Sequence, residues 1–219
     1  MNAALKRLRT ELRRSLVPFT TADGRPYSLG RTPVTVSQYT RFLKASHARN
    51  QAGGMYRLIH TGHEYSAIIE QPAGTYRYER RYGNNPVTLI TFEGARRFCD
   101  TFGLRLPTSA EWEWAAQGGE QQYRYPWGNG RPNSKRANYD ERVGATTPVG
   151  TYPIAPSGLY DLAGNVSEWC ADGPPGSHDR ITQGGNFRSE ERMLRIAPHK
   201  HRWERLGSTT TGFRVAGDA

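Results

Sequence analysis

Leu5, Leu8, Leu12 and Leu16, together with Ala4, recur at helical spacing, and Lys6, Arg7, Arg9, Arg13 and Arg14 fill much of the remaining surface. The pattern predicts a short basic amphipathic helix ended by Pro18, an N-terminal unit of residues 1–18 ahead of a single domain over residues 19–219. Such a helix docks on the domain or on a second subunit. It suits a membrane surface less well, because it carries no aromatic anchor.

After a turn at Asp23-Gly24, residues 33–43 change from strand-like to helical character, with Ser37 as the expected N-cap and Tyr39, Phe42 and Leu43 as the buried face. Alternation in Tyr56-Arg-Leu-Ile and in Tyr76-Arg-Tyr78, around a turn at Pro72-Ala-Gly74, predicts an inserted hairpin at about 54–82. An extended segment, Pro86 to Thr91, then leads into a helix over 92–103 on which Ala95, Phe98, Cys99 and Phe102 share one face. A further helix is predicted over 109–117, with Ser109 as N-cap and Trp112 and Ala116 on one side. The rest reads as loop-rich, with short strands near 181–187 and 212–216.

Composition agrees with a compact chain of few regular elements. The 219 residues are enough to bury a real core. Five Trp and twelve Tyr supply large buried areas, while 24 Gly and 14 Pro favour turns over a helical bundle. The net charge of +10 makes anionic surfaces conceivable partners, but it is spread over single arginines and accompanied by no nucleic-acid motif. Cys99 and Cys170 lie far apart and read as two buried thiols, with one disulfide as the alternative for an exported chain. No stretch approaches the ~20 apolar residues of a membrane span. Arg13 and Arg14 stand where a signal peptide needs its apolar core, so the cytoplasm is the expected location.

The blocks that carry family information come in order: Arg105-Leu-Pro-Thr-Ser-Ala-Glu-Trp-Glu-Trp-Ala-Ala116, Tyr125-Pro-Trp-Gly128, Gly158-Leu-Tyr-Asp-Leu-Ala-Gly-Asn-Val-Ser-Glu-Trp169, Gly184-Gly-Asn-Phe187 and Gly212-Phe-Arg-Val215. Together they resemble the formylglycine-generating-enzyme, or sulfatase-modifying-factor, family, and the resemblance covers most of residues 27–216. It implies an α+β, C-type-lectin-like fold with a small twisted antiparallel sheet, two main helices and extensive irregular loops. The rings of Trp112, Trp114, Trp127 and Trp169 are expected to be core, with their N–H groups bonded to loop carbonyls.

In the enzyme that gives the family its name, two cysteines near the C-terminus bind copper(I), a soft ion that prefers thiolates. The matching positions fall close to Glu191 and Ile196, and no cysteine follows Cys170. The resemblance therefore does not carry over the oxidation of cysteine to formylglycine. Another branch uses non-haem iron. Here His199 and His201, at i and i+2 on an extended segment, would point the same way and could share a redox metal, with Glu191, Glu204 or His178 as third ligand. The family's structural calcium matches Asp161 and Glu168 with the carbonyls of Gly164 and Val166, an oxygen-only set suited to that ion. A second calcium loop, beginning at Asn138-Tyr139, is shortened.

Two functions follow as expectations. The first is a binding module that holds a protein, peptide or small-molecule ligand with the C-terminal loops 188–211, where Arg192, Arg202, Trp203, Arg205 and His199 are residue types common at binding hot spots. The second is a metal-dependent oxidoreductase, on iron or copper, built on His199 and His201. Arg195 and Arg214 are expected to hold the loop by salt bridges.

Overall fold

The computed structural model describes residues 1–46, 58–119, 122–197 and 199–218. Along the chain lie α1 (Ala3–Arg14), β1 (Leu16–Thr20), β2 (Pro26–Gly30), α2 (Val36–Ser46), β3 (Ile68–Gln71), β4 (Thr75–Tyr78), α3 (Phe92–Thr101), α4 (Ser109–Gln117), β5 (Ser167–Trp169), β6 (Asp179–Gln183), β7 (Lys200–Trp203), β8 (Thr211–Gly212) and β9 (Ala216–Asp218). The α+β class is as expected, and the four α-helices among the described residues lie where the apolar spacing predicts helices.

The leucine stripe of α1 is spent inside the chain's own core, where Leu5, Leu8 and Leu12 are buried. Polar contacts fix the helix to α2: the Glu11 carboxylate accepts from Gln38 at 2.9 Å and from Arg41 at 2.6 Å. The helix stops at Arg14, not at Pro18. Pro18 lies within β1, an edge strand, where its missing N–H removes no obligatory ladder bond.

Two expected caps move by one or two residues. Gln38 N donates to Thr35 Oγ1 and Thr35 N to Gln38 Oε1, so Thr35 and not Ser37 starts α2. A reciprocal pair between Thr108 and Glu111 likewise starts α4, and Ser109 turns its hydroxyl to Asp172 instead. Both sites are Thr-x-x-Gln/Glu boxes.

The hairpin turn at Pro72–Gly74 is where the pattern put it, but the partner of Thr75–Tyr78 is Ile68–Gln71. Of the expected earlier strand, Tyr56 and Arg57 lie outside the described residues, while Ile59 bridges to Ile90. In the main core Phe98 of α3 is ringed by Tyr39, Phe42, Phe102 and Phe213, with ring centres 5.0 to 5.6 Å away. Cys99 and Cys170 are free and buried, and burial raises both thiol pKa values.

Two sheets frame the second half. β1, β2 and β9 form an antiparallel sheet that joins early and late segments of the chain. The other sheet has the order β7-β6-β5-β8 and is mixed, because the short β5 and β8 run parallel. β7 is one edge, and it carries His201, Arg202 and Trp203 of the C-terminal segment singled out above.

Candidate functional site

The Gly158–Trp169 block surrounds a buried polar centre. Glu168, on β5, accepts from Arg214 Nε at 2.6 Å and Nη2 at 2.7 Å, and from Trp112 Nε1 at 2.7 Å. The Arg214 and Glu168 side chains are 0% and 1% exposed. Arg214 also donates to the carbonyls of Gly30 and Tyr160. One guanidinium thus ties β2, the 158–161 loop and β5 together, as expected for Arg214. Arg195 is exposed and forms no ion pair among the described residues, which corrects its expected structural role.

The residues expected to hold calcium lie along this centre. Asp161, at φ +55°, accepts from Gly150 N through Oδ2, while its buried Oδ1 has no hydrogen-bond partner. Burial, opposed mainly by the Gly150 N–H, raises its pKa to about 6. Gly164, at φ +77°, cannot be replaced without a clash, since a Cβ would meet Asn138 O at 2.3 Å. The orphaned carboxylate oxygen of Asp161 fits a cation bound by oxygen. Glu168 differs, because Arg214 already neutralises its charge. The adjoining loop is pinned by amides: Asn165 accepts from Thr147 N and donates to Thr147 O, and Asn138 Nδ2 donates to Ala145 O.

Within the C-terminal segment, β7 forms an antiparallel ribbon with β6. His199 and His201 do point the same way, their rings stacked 5.3 Å apart. Glu191 is not with them: it sits on a short 3-10 turn and accepts from Tyr125 OH. Glu204 and His178, the other expected third ligands, are paired with each other at 3.0 Å. Among the described residues no group of three His, Cys, Asp or Glu side chains could hold a metal. Trp203 is 43% exposed, and Arg205 lies over its ring at 5.6 Å. Arg202 is half-buried, and burial lowers its pKa. Arg192 is exposed and paired with Glu190, apart from that cluster in the chain.

A cleft of about 270 Å³ opens between the inserted hairpin region, the 144–146 loop and the start of the C-terminal segment. Tyr65, Glu79, Arg81, Tyr82, Phe187 and Arg188 are among its walls. Sequence reasoning missed it, since its walls come from segments far apart in the chain. The one available signal was the inserted hairpin, which buries Ile68 and Tyr76 in the main core and leaves polar residues such as Glu79 and Arg81 for the cleft wall.

The family described as "Sulfatase-modifying factor enzyme 1-like domain" matches residues 2–219. The serine/threonine-protein kinase Pkn1 of Chlamydia trachomatis is 37% identical over 208 residues, covering 85% of this chain and 32% of that protein. The formylglycine-generating enzyme of Thermomonospora curvata is 34% identical over 170 residues, covering 62% of this chain and 56% of the enzyme. The chain thus spans only 32% to 56% of the length of these relatives. Treponema denticola variable protein 1 has the same fold, with a TM-score of 0.67 at 18% identity over 93% of this chain and 95% of that one. With the ordered Trp- and Gly-rich blocks folded around the Glu168–Arg214 centre, the chain belongs to the sulfatase-modifying-factor, or formylglycine-generating-enzyme, family.

Proposed function

We propose that this chain is a binding module of lectin-type fold that holds a protein, peptide or small-molecule ligand with its C-terminal segment 188–211. The observation that carries this reading is Trp203, a large aromatic left 43% exposed on the ribbon with Arg205 over its ring. Trp and Arg so placed are the residue types that dominate binding energy. The neighbouring cleft supplies a concave wall of aromatic and charged side chains beside the segment's first residues. Neither cysteine favours thiol chemistry, since both are buried with raised pKa values.

Selection of random displayed peptides on the purified protein tests this reading. Recovered peptides should bind at least about tenfold more weakly to Trp203→Ala. Peptides indifferent to every substitution in 188–211 would overturn it. The stacked pair His199 and His201 favours a second reading, an iron- or copper-dependent oxidoreductase. Stoichiometric iron or copper lost on His199→Ala, with oxygen consumption by the loaded protein, would place that reading first.

We further propose that calcium, if bound, is held by Asp161 with the carbonyls of Gly164 and Val166. Its contribution would be structural, offsetting the cost of the buried Asp161 carboxylate.

A further inference from the structure

β6 and β7 place two arginines directly opposite each other. Arg180 and Arg202 are Cα partners in the antiparallel ladder, so their side chains leave the same face of the ribbon. Lys200, two residues before Arg202, shares that face. Like charges in directly opposed positions repel, and the arrangement needs a counter-charge.

The protein supplies one for Arg180 alone. Its Nη2 lies 2.9 Å from Glu204 Oε2, and its guanidinium lies 4.9 Å from the centre of the Phe92 ring. Glu204 is also engaged by His178. Arg202 has no ion pair among the described residues, and burial lowers its pKa with no carboxylate acting in the opposite sense. Nε of Arg180 and Nε of Arg202 are both buried without a hydrogen-bond partner. Buried N–H donors on charged groups are costly to leave unpaired, and an oxyanion satisfies guanidinium donors with short, charge-assisted bonds.

We infer that the opposed pair Arg180 and Arg202, with Lys200 beside it, seats one oxyanion group, a carboxylate or a phosphate, of the ligand held by the C-terminal segment. The inference rests on the binding reading above and adds to it a ligand that carries a negative group and reaches round the edge strand β7, since by alternation Trp203 leaves the face opposite Arg202. Arg202 is the primary contact, because Arg180 is already half-neutralised by Glu204.

Arginine Nε–H signals of the ¹⁵N-labelled protein report on these two donors directly. Inorganic phosphate and acetate, titrated separately at constant ionic strength, distinguish the two sources of the oxyanion. The expected result is a saturable shift of the Arg180 and Arg202 signals with at least one probe, weakened about tenfold in Arg202→Lys, which keeps the charge but loses the fork. Glu204→Gln, which removes the competing carboxylate, should strengthen the same response about threefold. Arg7→Lys, on the exposed face of α1 and outside the segment, should leave it unchanged. Absence of saturation up to about 0.1 M anion, or an equal drift of all arginine signals, would overturn the inference. If these signals stay still while Trp203-dependent peptides are recovered, the oxyanion seat fails and the binding face stands. If they shift saturably and no such peptide emerges, the seat stands and the wider reading of segment 188–211 fails.

Discussion

Glu168 and Arg214 meet in the interior through two hydrogen bonds of 2.6 and 2.7 Å, with neither side chain reaching solvent. A buried ion pair stabilises little relative to a well-packed apolar pair, yet loss of one partner strands a charge in a low-dielectric site. Arg214→Met should therefore lower the free energy of unfolding by about 3–5 kcal/mol. The double variant Glu168→Leu/Arg214→Met should lose much less than the sum of the two single variants. Urea titrations of all four proteins form the double-mutant cycle that checks this.

Asn165 holds the 145–147 segment by two bonds to the Thr147 backbone, and does so from a φ of +60°. Asn165→Ala removes both bonds and puts alanine in a left-handed conformation, so a loss of about 2–3 kcal/mol is expected. Limited proteolysis should then cut within residues 140–150, where wild type resists. Thr146 lines the cleft and is itself held by Asn85, so this change should also alter the cleft's shape.

Asp161 gives a pH signature. Its folded pKa is raised from 3.8 to about 6, so the metal-free folded state binds this proton more tightly than the unfolded chain does. Its contribution is fully present below about pH 4 and is lost as pH rises through about 6, by up to roughly 3 kcal/mol. Asp161→Asn keeps the acceptor for Gly150 N and should flatten that slope. Millimolar calcium should raise the melting temperature of wild type at pH 7 and leave Asp161→Asn unmoved, as thermal scans with calcium and with chelator would show.

Trp203 separates binding from stability. Trp203 is 43% exposed and belongs to none of the core clusters, so Trp203→Ala should change the unfolding free energy by no more than about 1 kcal/mol. Loss of binding by this variant, at unchanged melting temperature, is the outcome that assigns the ribbon its role.

The α3 face Ala95, Phe98, Cys99 and Phe102 was legible because burial at helical spacing is written locally, and the hairpin turn because Pro-Ala-Gly restricts the backbone locally. The Thr35 and Thr108 caps are equally local, yet a serine one or two residues later competes with each, and the Gln or Glu three residues after the threonine decides. Pro18 misled because proline ends helices yet is tolerated on an edge strand, and edge status is a property of the whole sheet. His199 and His201 share a direction as alternation requires, whereas Glu191, one of the three expected third ligands, lies by Tyr125. Neither the Arg180–Arg202 opposition nor the partner of Glu168 could be read beforehand. Both depend on strand register and on long-range packing.

The pairing of β2 with β9 sets an order of events during synthesis. Ser28 must wait for Gly217, 189 residues later, before its strand gains a second neighbour, and Arg214 reaches Gly30 across a similar gap. The first sheet therefore cannot close while the middle of the chain is still being translated. Such distant contacts favour slow folding and leave β2 half-paired on a nascent chain, where chaperones would meet it.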